Sequence, residues 1–213
     1  MYFGVHPKGY WQFAAIQEVP DPEKPETWIF QLQTTWRKSA EPDLADEDVS
    51  SLEEHWKRAE GMGEPFKSAN LWIPKGTKIS VNNMAYWEPI KWDSRGGRVI
   101  LAGDAAHPMT FQRGQGLNHG IADAANLTQL LRSVKEGAKT QGAAIDEYVD
   151  ELVERAGEEV RSSIVNTEML HDWPRLKESP FFKAGGHANQ SNKIALEEQR
   201  HKEAAAAEEE KAQ

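Results

Sequence analysis

The sequence predicts an α+β chain in which an antiparallel, aromatic-rich sheet comes first and a short buried strand with long helices follows. Three observations carry this. Apolar residues alternate at period two through much of the first third. A continuous apolar run, RVILAG (98–103), ends at a Gly-Asp pair. From Gly116 to Ile164 apolar residues recur at spacings of three and four, the period of a helix face. The expected division is 1–92 for the sheet with one helix, 93–190 for the strand and long helices, and 191–213 for a charged tail.

Residues 10–17, YWQFAAIQ, read as a strand. ETWIFQLQTTW (26–36) reads as a second, with Trp28, Phe30, Leu32, Thr34 and Trp36 on one face and Gln31, Gln33 and Thr35 on the other. Between them EVPDPEKPE holds three prolines and five charges, so the pair is an antiparallel hairpin with a long connection. DEDVSSLEEHWKRAEGMG (46–63) is a helix: Asp46 or Asp48 can cap it, Lys57 and Arg58 suit its C-terminal end, and Gly61 or Gly63 can stop it. GTKISVNNMAYWEPI (76–90) alternates again and is expected to be a strand, and WDSRGG a turn. RVILAG has the composition of a strand buried on both faces.

The next helix begins near Gly116, with Leu117, Ile121, Ala124, Leu127, Leu131 and Val134 as its apolar face. Another begins near Ala143, with Ile145, Val149, Leu152, Ala156, Val160 and Ile164 inward. HDWPRLKESPFFKAGGH (171–187) reads as a Pro-broken loop with aromatic anchors. The Ala-, Glu- and Lys-rich stretch from Lys193 to Gln213 has no apolar stripe and reads as a solvated tail.

Composition excludes several classes. The 213 residues carry a formal charge of −9, which argues against a nucleic-acid surface. With no cysteine, disulfide and thiolate chemistry are out. The histidines lack metal-ligand spacing, so no metal site is expected, and no Gly-x-Ser-x-Gly nucleophile motif is present. No apolar run is long enough to span a bilayer. The N-terminus does not read as a secretory signal, and a cytoplasmic location is expected. Eight tryptophans serve either as core packing or as a wall around a planar ligand, and the sequence leaves both open.

The chemistry lies in RVILAGDAAHPMTFQRGQGLNHGIADAANL (98–127). Asp104 follows the apolar run at what would be a strand's carboxyl edge, where ligands of open sheets bind. Its carboxylate can accept hydrogen bonds from sugar hydroxyls. Leu101, Ala102 and Gly103 end the buried strand, and Gly114 and Gly116 permit tight turns and close approach of the main chain. Gly116, Leu117 and Asn118 open the helix, so their free N–H groups and the helix dipole favour an anion or an electron-rich carbonyl. Asp123 reads as a structural helix residue rather than a ligand contact.

This stretch closely resembles the second FAD-binding motif of the FAD-dependent aromatic monooxygenases, the para-hydroxybenzoate hydroxylase group, and most of all its fungal branch. Gly103, Asp104, Ala105, Ala106 and His107, then Gly114, Gln115, Gly116, Asn118, Asp123 and Ala124, carry the resemblance. It implies that residues 1–92 hold part of a substrate-binding sheet and that 93–190 form the C-terminal part of an FAD-binding domain. It implies contact of Asp104 with the ribitol or ribose region of FAD. The backbone at Gly116, Leu117 and Asn118 would face the flavin pyrimidine ring. His107 is implied to be structural, and no catalytic acid or base is assigned. The Pro that many members place beside the flavin has no counterpart here, since Pro108 comes early and Phe111 or Gln112 occupies that place.

The family's Gly-x-Gly-x-x-Gly unit and its middle Asp-Gly motif are absent, so the resemblance covers the C-terminal half of a member. FAD binding by this chain alone is therefore expected to be weak or absent. The expected function is a fragment or half of a monooxygenase that uses NAD(P)H and O₂ to oxygenate a small organic, aromatic or polyketide-like substrate. Its expected partners are that substrate and a separate N-terminal half or partner chain. Two alternatives are a non-catalytic interaction module and a flavin-independent cyclase or isomerase.

Overall fold

The structure is a computed structural model that describes residues 1–37 and 51–183. Strands β1 (Tyr2–His6), β2 (Tyr10–Glu18) and β3 (Ile29–Thr35) form an antiparallel sheet in the order β1-β2-β3. Tyr2 pairs with Ala14 across the first hairpin. Its turn needs Gly9, which sits at φ 82° and would bring a Cβ within 2.9 Å of the His171 carbonyl oxygen. Trp11 pairs with Thr35 across the second hairpin, and the register shifts between Ile16 and Glu18. The expected hairpin is therefore present, and β1 adds a third strand to it.

Both faces of β2 are covered near its start. Trp11, with Phe13 and Val5, packs against Leu170 and Leu176. Gln12 is fully buried on the opposite side, where it donates to Thr34 Oγ1 (3.1 Å) and accepts from Asn70 Nδ2 (3.0 Å). Burying an amide demands such partners.

Helix α1 spans Leu52–Ala59, with Ser51 as its cap: Ser51 Oγ accepts from Glu54 N at 3.2 Å. Asp46 and Asp48, the expected caps, lie outside the described residues, and Ser51 takes the role. Helix α2 (Phe66–Leu71) follows after a short turn and was not anticipated.

Residues 76–90 and 98–103 correct the sequence reading. Neither forms a strand, and among the described residues neither has a ladder partner. Both carry strand composition, but a strand exists only through its neighbours. The first is tied to the motif by one backbone bond, Trp87 N to Pro108 O at 3.0 Å. The second is held by side chains: Tyr148 Oη donates to Leu101 O at 2.9 Å, and Trp92 Nε1 donates to Val99 O at 3.3 Å. Burial raises the Tyr148 hydroxyl to a pKa of about 12, so it remains a donor across the neutral range.

Helices α3 (Gly116–Lys135) and α4 (Gln141–Leu170) form the second half of the molecule. Thr140 caps α4 by accepting from Ala143 N. Its expected inner face is correct: Ile145, Val149, Leu152, Ala156 and Val160 are buried, and Ile164 is half-buried. Ile145, Val149, Leu152 and Ala156 pack with Tyr148, Ala106 and Leu130.

The expected face of α3 is correct at Leu127 and Val134, which are half-buried against the core, and is corrected elsewhere. Leu117 is 76% exposed, Ile121 58% and Leu131 44%, while Asp123 and Leu130 are the buried residues. The helix turns a narrow side to α4 and leaves much of its apolar stripe uncovered.

The Pro-broken loop is also corrected, because Trp173–Glu178 (α5) and Pro180–Lys183 (α6) are helical. Pro174 and Pro180 lie in first helical turns, where a missing N–H costs nothing. Asp172 caps α5 by accepting from Arg175 N at 3.1 Å. The charged tail, 191–213, lies outside the described residues. Among the described residues, no helix is long and apolar enough to cross a membrane.

Candidate cofactor site

The Gly-Asp pair does not end a strand; it forms a single helical turn over Gly103–Ala105. Gly103 has φ 56°, and its carbonyl accepts from both Ala106 N and His107 N at 2.9 Å. This turn presents Asp104 to solvent and turns Ala106 and His107 inward.

A second turn, Phe111–Arg113, ends at Gly114 with φ 66° and delivers the chain to α3. The first intrahelical bond is His119 N to Gln115 O, at 3.1 Å. Among the described residues, the N–H groups of Gly116, Leu117 and Asn118 therefore have no acceptor. The Gln115 side chain accepts from Asn118 Nδ2 (3.1 Å) and donates to Arg113 O (3.3 Å), so it does not fill that role.

Glycines let the first turn lie against the start of α3. A Cβ at Gly116 would lie 4.0 Å from Asp104 Oδ1, and one at Gly120 would lie 3.9 Å from Gly103 Cα. At Gly120 a Cβ would rest in ordinary van der Waals contact with the turn, so α3 and the turn lie side by side there. Five of the six site residues expected from the sequence, Gly103, Asp104, Gly116, Leu117 and Asn118, meet at this junction. Gly114 shapes the approach to it.

A buried charge network fixes the junction from beneath. Asp123 is fully buried. Its Oδ2 accepts from Gly103 N and from His107 Nε2, both at 2.7 Å, and its Oδ1 accepts from Arg155 Nη2 at 2.7 Å. Burial raises the carboxyl's pKa, but the Gly103 N–H, Arg155 and His107 outweigh it and hold the group below its ordinary value. Asp123 is thus structural, as its sequence reading has it, but buried rather than solvated. His107 is structural too: it is fully buried, and its Nδ1 has no partner.

Arg155 is in turn gripped by Glu151, whose Oε1 accepts from Nε at 2.5 Å, and it donates from Nη1 to His119 Nδ1 at 2.9 Å. Burial and Arg155 push His119 below its ordinary pKa, so its ring is neutral. Sequence reasoning missed Gly120, Glu151 and Arg155. The i,i+4 spacing of the last two was the only signal available.

The spacer connects the junction to a cavity of about 1940 Å³. Phe111 lines this cavity and meets Trp11 edge-to-face with ring centres 5.7 Å apart. Gln112 Oε1 accepts from Thr167 Oγ1 at 2.8 Å, which pins the spacer to α4. Trp28, Phe30, Leu32, Thr34 and Trp36, predicted to share one face of β3 and its flanks, line the cavity, but so do Gln31, Gln33 and Thr35 of the predicted opposite face.

A carboxylate beside three unpartnered helix N–H groups, with no side chain in between, is a donor and acceptor set suited to a nucleotide-type cofactor. Comparison with known proteins gives the class: residues 73–163 match the FAD binding domain family. The chain belongs to the FAD-dependent monooxygenase family. It is 40% identical over 185 residues to FAD-dependent monooxygenase phnB of Penicillium herquei, covering 86% of this chain and 45% of that one. It is 36% identical over 183 residues to FAD-dependent monooxygenase cctM of Talaromyces islandicus, covering 85% and 45%. A shorter match, 39% over 93 residues, covers 44% of this chain and 22% of the 6-hydroxynicotinate 3-monooxygenase of Bordetella bronchiseptica. The chain thus spans about half the length of the first two relatives. No solved structure gives a significant match.

Proposed function

We propose that this chain forms the flavin-ring side of an FAD site, and one wall of the adjoining substrate cavity, in a monooxygenase that uses NAD(P)H and O₂ on a small aromatic or polyketide-like substrate. One observation carries the reading: the Asp104 carboxylate and the unpartnered N–H groups of Gly116, Leu117 and Asn118 share one junction.

The residues fit the cofactor. Asp104 accepts hydrogen bonds from the ribitol or ribose hydroxyls. The three N–H groups and the dipole of α3 bind the electron-rich edge of the pyrimidine ring and favour negative charge there. Gly103 and Gly114 shape the backbone so that no Cβ intrudes. When bound, FAD supplies the redox and oxygen chemistry. The chain's own part is to bind, orient and electrostatically bias the ring, and to hold the substrate cavity next to it through Phe111.

The sequence has no Gly-x-Gly-x-x-Gly turn for the pyrophosphate, so this chain alone binds FAD weakly. The uncovered residues Leu117, Ile121 and Leu131 of α3 offer a surface on which the remainder of a dinucleotide-binding fold packs, from a separate N-terminal half or a partner chain.

The test is titration of FAD into the 213-residue chain, read by flavin fluorescence, against Asp104→Ala. A hydrogen bond to a charged group contributes about 1.5–3 kcal/mol, so Asp104→Ala should raise Kd by roughly 10- to 100-fold. Asp104 is exposed, so thermal unfolding of the variant should match the parent. An unchanged Kd would remove Asp104 from the site.

A further inference from the structure

The start of α3 is held from the side as well as from beneath. Glu151, Arg155 and Glu159 follow one another on α4 at intervals of one helical turn, so one face of that helix presents charges in the order minus, plus, minus. Each grips the chain around α3. Glu151 Oε2 accepts from Asn126 Nδ2 at 2.9 Å, and Arg155 donates to both Asp123 and His119. Glu159 pairs with Arg113, whose Nε lies 2.9 Å from Oε1. The acceptor-free N–H groups of Gly116, Leu117 and Asn118 lie between the last two anchors, Arg113 and His119.

Of the partners in this ladder, only His119 is of a residue type that changes charge near neutral pH. Its tautomer follows from its neighbours. A guanidinium has no acceptor, so Nδ1, 2.9 Å from Arg155 Nη1, presents its lone pair. The ring proton is therefore on Nε2, which lies 4.0 Å from Glu159 Oε2. Protonating the ring would set Nδ1–H against an N–H of Arg155, two donors face to face. It would also strengthen the pull of Nε2–H on Glu159, the carboxylate that holds Arg113.

The other groups facing the ring are His107, edge-on with ring centres 6.2 Å apart, and Asp123 of its own helix. Burial first, then Arg155, and His107 behind it, disfavour the charged ring. Glu159 and Asp123 favour it and are outweighed, so His119 titrates below its ordinary value of 6.5.

We propose that His119 is a positioning residue for the cofactor junction: as a neutral acceptor it clamps the first turn of α3 to α4 through Arg155 and leaves Glu159 to Arg113, and on protonation it releases both anchors. Mild acid then loosens the N–H groups that lie between them. The consequence for FAD rests on the cofactor reading above; the clamp itself rests on Arg155, His119 and Glu159.

The experiment measures the FAD Kd of the 213-residue chain from about pH 7.5 to about pH 5.5, the range in which a histidine switches. The parent is compared with His119→Asn and His119→Phe, and urea unfolding of each is recorded at the same pH values. Asn puts an amide oxygen close to the place of Nδ1 and cannot take up a proton there; Phe keeps a ring but loses the acceptor. The parent's Kd should rise about tenfold across the range, the worth of one hydrogen bond to a charged group. His119→Asn should show a nearly flat Kd. At neutral pH it should bind about tenfold more tightly than His119→Phe, because the acceptor for Arg155 is restored. Because the folded ring resists the proton more than the unfolded chain does, the parent should also lose stability relative to His119→Asn as the pH falls below 6.5.

A parent Kd independent of pH, a pH dependence that survives in His119→Asn, or equal affinity of the Asn and Phe variants would overturn the proposal. If His119→Phe fails to fold, the parent and His119→Asn still decide it. If the parent does not bind FAD at all, the cofactor reading fails by itself and the urea curves decide the clamp. A stability gap between parent and His119→Asn that stays constant across the range overturns it, and a gap that moves in favour of the Asn variant on acidification upholds it.

Discussion

Asp123→Ala should destabilise the protein by about 3–5 kcal/mol, the usual cost of removing one member of a buried, hydrogen-bonded charge group. The reason is specific. The substitution leaves the Gly103 N–H and the His107 Nε2–H without their acceptor, and it takes from Arg155 the only partner that is fully buried. Urea unfolding reads the loss directly, as a fall in midpoint at unchanged slope. Asp123→Asn keeps the shape and one acceptor oxygen, so it should fall between the two.

The pH dependence follows from the sign of the shift. The folded carboxyl titrates below its ordinary value of 3.8. Its contribution is therefore present above that value and is lost as pH falls through the lower, folded one. The gap in stability between the parent and Asp123→Asn should be full at neutral pH and should narrow as the pH drops below about 4. A gap that stays constant on acidification would mean that the charge on Asp123 is not what holds the turn.

Leu152→Ala should cost about 2–5 kcal/mol, because the side chain is fully buried and the cavity left behind cannot collapse between two long helices. Leu152 belongs to the cluster that includes Ala106, the residue two positions after Asp104, so the same core that stabilises α4 also seats the motif. The contrast is Leu131→Ala. Leu131 shares the helical spacing of the apolar residues of α3 but is 44% exposed, so its loss should stay within about 0.5 kcal/mol in this chain. Matched urea curves for the two variants test whether burial, not periodicity, sets the cost. A comparable loss from Leu131→Ala would show that the outer stripe of α3 is covered in solution.

Much of the architecture was legible where local pattern and tertiary contact agree. The β2–β3 hairpin follows from alternation and a proline-rich connection, and α4 buries the residues that its spacing nominates. The failures have a shared cause. Residues 98–103 and 76–90 carry strand composition, yet strand formation depends on a partner that no single segment encodes. Leu117 and Ile121 are periodic, yet a helix buries only the side that something else meets. Proline misled in the opposite direction at Pro174 and Pro180, because a residue that breaks a helix interior is well suited to its first turn.

The site shows the same division. Gly114 and the start of α3 were readable because a tight turn and a helix boundary are announced locally by glycine, whereas Gly103 and Asp104, read as a strand end, form a helical turn instead. The support beneath them was not legible. Asp123 looks like any polar helix residue, and its burial depends on Arg155 approaching from α4, 32 positions further along the chain.

The most direct test of the central claim is amide hydrogen exchange of the 213-residue chain, with and without FAD at several times its Kd. The account predicts that exchange at Gly116, Leu117 and Asn118 slows by about tenfold or more on FAD addition, since these N–H groups lack an acceptor until the ligand supplies one. Asp104→Ala at the same FAD concentration should lose most of that protection. FAD binding that leaves those three amides unchanged would contradict the account, because the junction of Asp104 with the start of α3 would then not be where the flavin sits.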